Sequence, residues 1–175
     1  MNIVKIELNG KIFKGTLDFY VIRQVQEDLK ENNIESKVHE IFLNISNLDK
    51  LSEYSTQYTL SSLLLYSILR VENITDKEFE REFKLEKNSI KLFETIFTYI
   101  NKLMKKCIQK SNEDESEFEE EYISNKDWNF AHMEYLWYSV LKRTDDFYRA
   151  TPKMFFEQMD VLEEVNGTNK NIEVL

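Results

Sequence analysis

Residues 4–15, Val-Lys-Ile-Glu-Leu-Asn-Gly-Lys-Ile-Phe-Lys-Gly, decide the fold. Val4, Ile6 and Leu8 alternate with Lys5, Glu7 and Asn9, the period of a strand with one face buried. Asn9-Gly10 is the dipeptide that two-residue hairpin turns favour, because both positions accept positive φ. Ile12 and Lys14 bring the chain back, so the stretch predicts a β-hairpin ending near Gly15. A lone hairpin is marginal in water and must pack on something. The segments that follow read as helices. The expected fold class is therefore mainly α with a short N-terminal β-hairpin, an α+β arrangement.

Outward from the hairpin, Thr16 reads as a helix N-cap with Asp18 in the first turn. Leu17, Tyr20, Val21, Val25 and Leu29 recur at helical spacing, and Asn32-Asn33 gives a stop. Ser36 predicts a shorter helix carrying Val38, Ile41, Phe42 and Ile45, and Leu48, Leu51 and Tyr54 still fit one helical face. Leu60 to Val71 is apolar nearly all round, as a central buried helix should be. Thr75-Asp76-Lys77-Glu78 has capping-box spacing and predicts a helix to about Phe83. Ile90, Phe93, Ile96, Phe97, Ile100, Leu103, Met104, Cys107 and Ile108 then form one long apolar stripe, with lysines and Glu94 on the other faces.

Composition sets the function classes. The chain has 175 residues with 32 acids against 23 bases, a formal charge of -9, and only three glycines and one cysteine. That length fits one compact domain or two small units. The acidic balance argues against a general nucleic-acid binder, whose phosphate affinity comes from clustered Lys and Arg. Scarce glycine leaves little room for a phosphate-cradling loop, and a single Cys107 excludes an internal disulfide or a cysteine-rich zinc site. No run approaches the roughly 20 apolar residues of a membrane span, and the N-terminus lacks a signal peptide's apolar core. A soluble, cytoplasmic protein with no membrane partner is expected, and the sequons at Asn44, Asn73 and Asn166 then read as chance matches.

Reactive side chains do not converge. His39 and His132 are far apart and match no metal-ligand spacing. Cys107 sits on an apolar stripe, which suits an inert thiol. Glu27-Asp28 and Asp145-Asp146 are adjacent pairs that fit solvated faces or helix starts. No catalytic, cofactor-binding or metal-binding residue is expected, and the chain is read as not an enzyme.

The organisation changes past the long stripe. Seven of the ten residues from Glu113 to Tyr122 are acidic, and without them the charge falls to -2. Residues 111–125 are expected to form an acidic linker, or a docking site for a basic partner, after an N-terminal domain spanning 1–110. Residues 126–165 form an aromatic-rich helical unit, and 166–175 a flexible tail. Phe130, Met133, Trp137, Val140 and Leu141 make a helical stripe, Asp146-Phe147-Tyr148 follows a new start at Thr144, and Thr151-Pro152 marks a further helix N-terminus. That helix is expected to end before Asn166-Gly167. A unit of about 40 residues has little core of its own, so it needs to dock on the N-terminal half, on a second copy or on another protein. Its rings either fill that core or anchor a partner, and Trp128, Trp137, Tyr148, Phe155 and Phe156 are the candidate partner-binding residues.

A hairpin with an Asn-Gly turn, a small helical domain, an acidic spacer and a Trp-rich tail joining the Phe130–Leu141 helix to Thr151-Pro152-Lys153-Met154-Phe155-Phe156 resembles the tail assembly chaperones of long-tailed phages and phage-like particles. The resemblance implies a non-enzymatic role. Such a protein binds and solubilises the tape measure protein, recruits tail tube protein during tail morphogenesis, and is absent from the finished particle. It also implies an extension added by ribosomal frameshifting, with Lys105-Lys106 or Asn125-Lys126 as a junction. The competing readings are a structural or adaptor protein of such a particle, and a small intracellular regulator acting by protein contact. An exposed hairpin edge would pair with another copy and give a homo-oligomer.

Overall fold

The computed structural model describes residues 2–34, 53–84, 89–108 and 128–170, and in it the hairpin forms as the alternation predicts. β1 (Val4–Leu8) and β2 (Lys11–Gly15) pair antiparallel, in register from Leu8 opposite Lys11 to Val4 opposite Gly15. Asn9 at φ 48° and Gly10 at φ 76° make the turn. Val4, Ile6, Leu8 and Phe13 point into the core, while Lys5, Glu7 and Lys14 stay exposed.

Helices make up the rest: α1 (Phe19–Glu31), α2 (Glu53–Leu69), α3 (Asp76–Lys84), α4 (Ser89–Cys107), α5 (Phe130–Tyr135) and α6 (Pro152–Lys170). A turn of π-helix (Leu136–Val140) extends α5, and a 3₁₀ turn (Phe147–Arg149) precedes α6. The molecule is thus mostly helical with one two-stranded sheet. The helix predicted from Ser36 and the acidic linker at 111–125 lie outside the described residues. Among the described residues no helix is long and apolar enough to cross a membrane.

The start of α1 differs from the sequence reading. Its cap is Asp18, whose carboxylate accepts from the Val21 amide at 3.0 Å, and Thr16 and Leu17 lie before the helix. Thr16 is engaged elsewhere: its amide donates to the Ser67 carbonyl at 3.1 Å and its hydroxyl to the Asn2 carbonyl at 2.8 Å. The buried face of α1 is accordingly Phe19, Val21, Ile22, Val25, Gln26 and Leu29, with Tyr20 left outside.

α2 packs between the hairpin, α1 and α4, burying Leu60, Leu63, Leu64 and Ile68. Gly15 sets how closely it approaches. A Cβ there would collide with the Tyr99 hydroxyl and press on the Ser67 carbonyl, so bare backbone lets β2 lie against α2 and α4. Tyr99 and Ser67 close that junction with a 2.9 Å hydroxyl hydrogen bond. α3 begins with the predicted capping box: the Thr75 amide donates to the Glu78 carboxylate at 2.7 Å, and the Glu78 amide to the Thr75 hydroxyl at 3.3 Å. On α4 the buried face is Ile96, Tyr99, Ile100, Leu103, Met104 and Cys107, while Phe93 turns outward.

The aromatic C-terminal elements share this core. Phe19 of α1 stacks on Phe147 with ring centroids 4.5 Å apart, and meets Phe155 at 5.7 Å and Trp128 at 5.9 Å. Burying such rings contributes roughly 25 cal/mol per Å² of apolar surface. Thr151 caps α6 by accepting from the Met154 amide, with Pro152 at the first helical position as the sequence predicts. The helix then runs through Asn166 and Gly167 to Lys170, beyond its predicted end and into the segment expected as a flexible tail. Nothing in the structure explains that extension.

Candidate functional site

β1 and its turn form one wall of a cleft of about 740 Å³, and α4 forms the other. Lys5, Glu7 and Asn9 line it from the hairpin, and Lys91, Glu94, Thr95, Thr98 and Lys102 from the helix. The helical residues recur at three- and four-residue intervals because those positions share one face of an α-helix. Thr95 spends its hydroxyl on the Lys91 carbonyl at 2.8 Å, whereas Thr98 is exposed. Lys105 continues the stripe one turn beyond the cleft.

Three lysines and two glutamates therefore line the cleft, each wall carrying both signs. Neither Lys5 nor Lys102 has an ion-pair partner among the described residues. The hairpin adds to the positive field: Lys14 stands directly opposite Lys5 on the exposed face, and Lys11 flanks the turn. Directly opposed like charges destabilise a strand pair, so this hairpin carries its lysines at some cost. At the base of the cleft Tyr99 turns its hydroxyl inward to Ser67, and burial pushes its ionisation well above the ordinary phenol range.

A second polar centre ties the elements behind the cleft together. The Arg70 Nε lies 2.7 Å from the buried Asp18 carboxylate, and its guanidinium stacks 4.5 Å from the Tyr20 ring centroid. Arg70 also donates to the Tyr148 carbonyl at 3.4 Å. Burial raises the Asp18 pKa, and Arg70 together with the Val21 amide offsets part of that rise. This pair, with Asp18 buried and Arg70 largely so, joins α1, the end of α2 and the 3₁₀ turn.

Four of the five residues predicted to anchor a partner are buried, and Tyr148 is half-buried. Trp137 and Phe155 have no exposed surface, and Trp128 and Phe156 retain 8% and 5%. Trp137 donates its indole N–H to the Asp145 carbonyl at 2.9 Å and packs on Phe155. Tyr148 lies under the Arg23 guanidinium and accepts from it at 3.2 Å. Once Phe19 supplies a surface for them, these rings meet one another and α1. Cys107 is buried with its pKa raised by desolvation, His132 is exposed on α5, and His39 lies outside the described residues. The described residues contain no cluster of three metal-ligating side chains. The cleft itself was missed by sequence reading, which placed the α4 lysines only as the faces opposite an apolar stripe.

With this geometry in hand, comparison with known proteins gives the class: the family model described as the Est1 DNA/RNA binding domain matches residues 1–154, and the chain belongs to that family. No curated protein and no solved structure matches it. The match overturns the resemblance to phage tail assembly chaperones, and with it the tape measure and tail tube partners and the role in tail morphogenesis. The adaptor and regulator alternatives gain nothing from it. The expected exclusion of nucleic acid falls as well. That exclusion rested on net charge, which sums over the whole chain while binding depends on local clustering. Seven acids lie in 113–122, and the 21 residues after the matched region hold five acids and one base; the remainder of residues 1–154 carries a charge of +2. α4 alone has four lysines against one glutamate.

Proposed function

We propose that the chain binds DNA or RNA through the cleft between β1 and α4. The match over residues 1–154 to a family described by that activity carries the reading. The lysine-lined cleft supports it, since Lys5, Lys91 and Lys102 set three ammonium groups along it for phosphate contacts. Thr98 and Asn9 add uncharged donors beside them, and hydroxyl and amide groups commonly fix register on a phosphate backbone. Glu7 and Glu94 oppose non-specific attraction and can accept from base amino groups. The proposed role is binding, and the buried Cys107 thiol, its pKa raised by desolvation, adds no nucleophile to the cleft.

Fluorescence anisotropy of labelled oligonucleotides against salt tests this reading. Contacts from three lysines give a log–log salt slope of about -2 to -3. Replacing Lys91 and Lys102 together by Gln should remove roughly 1.5 from that slope and weaken binding to all sequences alike. An unchanged slope, or no binding at low salt, would overturn the assignment.

A further inference from the structure

The register of the hairpin fixes which backbone groups of β1 face outward. In an antiparallel pair, alternate residues exchange hydrogen bonds within the ladder and the others point their N–H and C=O away from it. With a two-residue turn, Leu8 opposite Lys11 is a bonded pair, so Ile6 bonds inward to Phe13 while Lys5 and Glu7 face out. The Ile3 carbonyl obeys the same parity, accepting from the Lys106 ammonium at 2.8 Å. No described group bonds the outward backbone of Lys5 or Glu7, and both side chains are exposed. The cleft leaves space open beside them. An edge of this kind is a template for another strand.

We infer that the β1 edge pairs with the β1 edge of a second copy of this chain, joining two hairpins into one four-stranded antiparallel sheet. The sequence Lys5-Ile6-Glu7 carries its own complement. Antiparallel pairing about a two-fold axis at Ile6 sets Lys5 opposite the partner's Glu7, and Glu7 opposite the partner's Lys5. These are the residues whose backbone faces outward, so each opposed pair exchanges both of its N–H and C=O groups. Opposite charges placed in this way stabilise a strand pair. Centring on Lys5 or Glu7 would oppose like charges, and centring on Val4 or Leu8 would leave the charges unmatched, so charge selects one register. The other edge lacks this match. Ile12 also keeps its outward backbone open, but pairing about Phe13 would set it against Lys14, whose amide is already held by the Glu72 carboxylate at 2.9 Å. The contact adds little apolar burial, since Val4, Ile6 and Leu8 are already covered within the chain. The dimer is therefore a weak one, sustained by backbone bonds and two ion pairs.

Sedimentation velocity of the purified full chain tests this at low salt, from micromolar to millimolar concentration. No nucleic acid is present, so the result does not depend on the ligand of the cleft. The parent should show a reversible monomer–dimer equilibrium. Lys5→Glu opposes two acids at each pair and Glu7→Lys opposes two lysines, so either alone should weaken association about tenfold or more. Both side chains are exposed, and circular dichroism should show the parent's fold in each variant. The double variant, Lys5→Glu with Glu7→Lys, restores opposite charges and should dimerise as the parent does. Mixed together, the two single variants should pair with each other more tightly than either pairs with itself. Hydrogen exchange at the Lys5 and Glu7 amides should slow as the parent's concentration rises. A parent that stays monomeric throughout, a double variant no stronger than the single ones, or protection at Ile12 in place of Lys5 and Glu7 would each overturn the inference.

Discussion

Arg70 is where three elements depend on one side chain. Asp18 is 1% exposed and Arg70 19%, so their 2.7 Å contact is shielded from solvent. Removing one partner of such a pair costs more than the pair gains, because the other charge stays buried. For Asp18 the sign follows from burial as the leading cause of its shift: the folded pKa lies above the unfolded one. Its contribution to stability is then fully present below the ordinary carboxylate range and is lost as pH rises through the folded value. Arg70 limits that loss. Arg70→Met should therefore destabilise by ~3–5 kcal/mol near neutral pH and by much less near pH 3, where Asp18 is protonated. Urea denaturation at the two pH values checks this, and an equal loss at both would show that packing alone explains Arg70. None of this was legible in the sequence. Asp18 was placed within the first turn and Thr16 at the cap, since short-range patterns do not reveal that Ser67 and Asn2 claim Thr16 from far along the chain.

At the scale of elements, local chemistry was legible wherever it was self-contained. The hairpin declares itself because alternation and an Asn-Gly turn need only neighbouring residues. The capping box of α3 is another such case, and both of its reciprocal bonds are present. Thr75→Ala should lower the local opening free energy of α3 by about 1 kcal/mol, seen as faster exchange at the Asp76–Phe79 amides with little change elsewhere. If core amides of α2 accelerate equally, α3 is not a local unit. α4 was half legible. Its apolar face showed in the periodicity, apart from Phe93, which turns outward, and Tyr99, whose burial depends on Gly15 and Ser67 across the junction. Its polar face carried Lys91, Thr98 and Lys102 at helical spacing, but only the hairpin packed alongside turns that face into a cleft. A charge sum taken segment by segment would have exposed it.

Across the whole molecule, the sequence suggested two units joined by an acidic stretch, and the rings on either side of that stretch meet around Phe19. A chain ending at Lys110 would leave Phe19 of α1 without its covering rings. Such a truncation should lose cooperative thermal unfolding and bind a hydrophobic dye, whereas a sharp transition in circular dichroism would restore the two-unit picture. Aromatic density pointed correctly to something unusual about the C-terminal region, but composition does not say whether rings face inward or outward. That depends on whether another surface within the chain is shaped to take them. Here α1 is.

Gln26 gives the chain a fixed re-entry point. Its side-chain amide imitates a peptide group, accepting from the Trp128 N–H at 3.1 Å and donating to the Trp128 carbonyl at 3.4 Å. Trp128 is thereby tethered to the middle of α1. One carboxamide sets where the chain comes back to that helix, and exchanging it for an aliphatic side chain would remove both bonds in a single step.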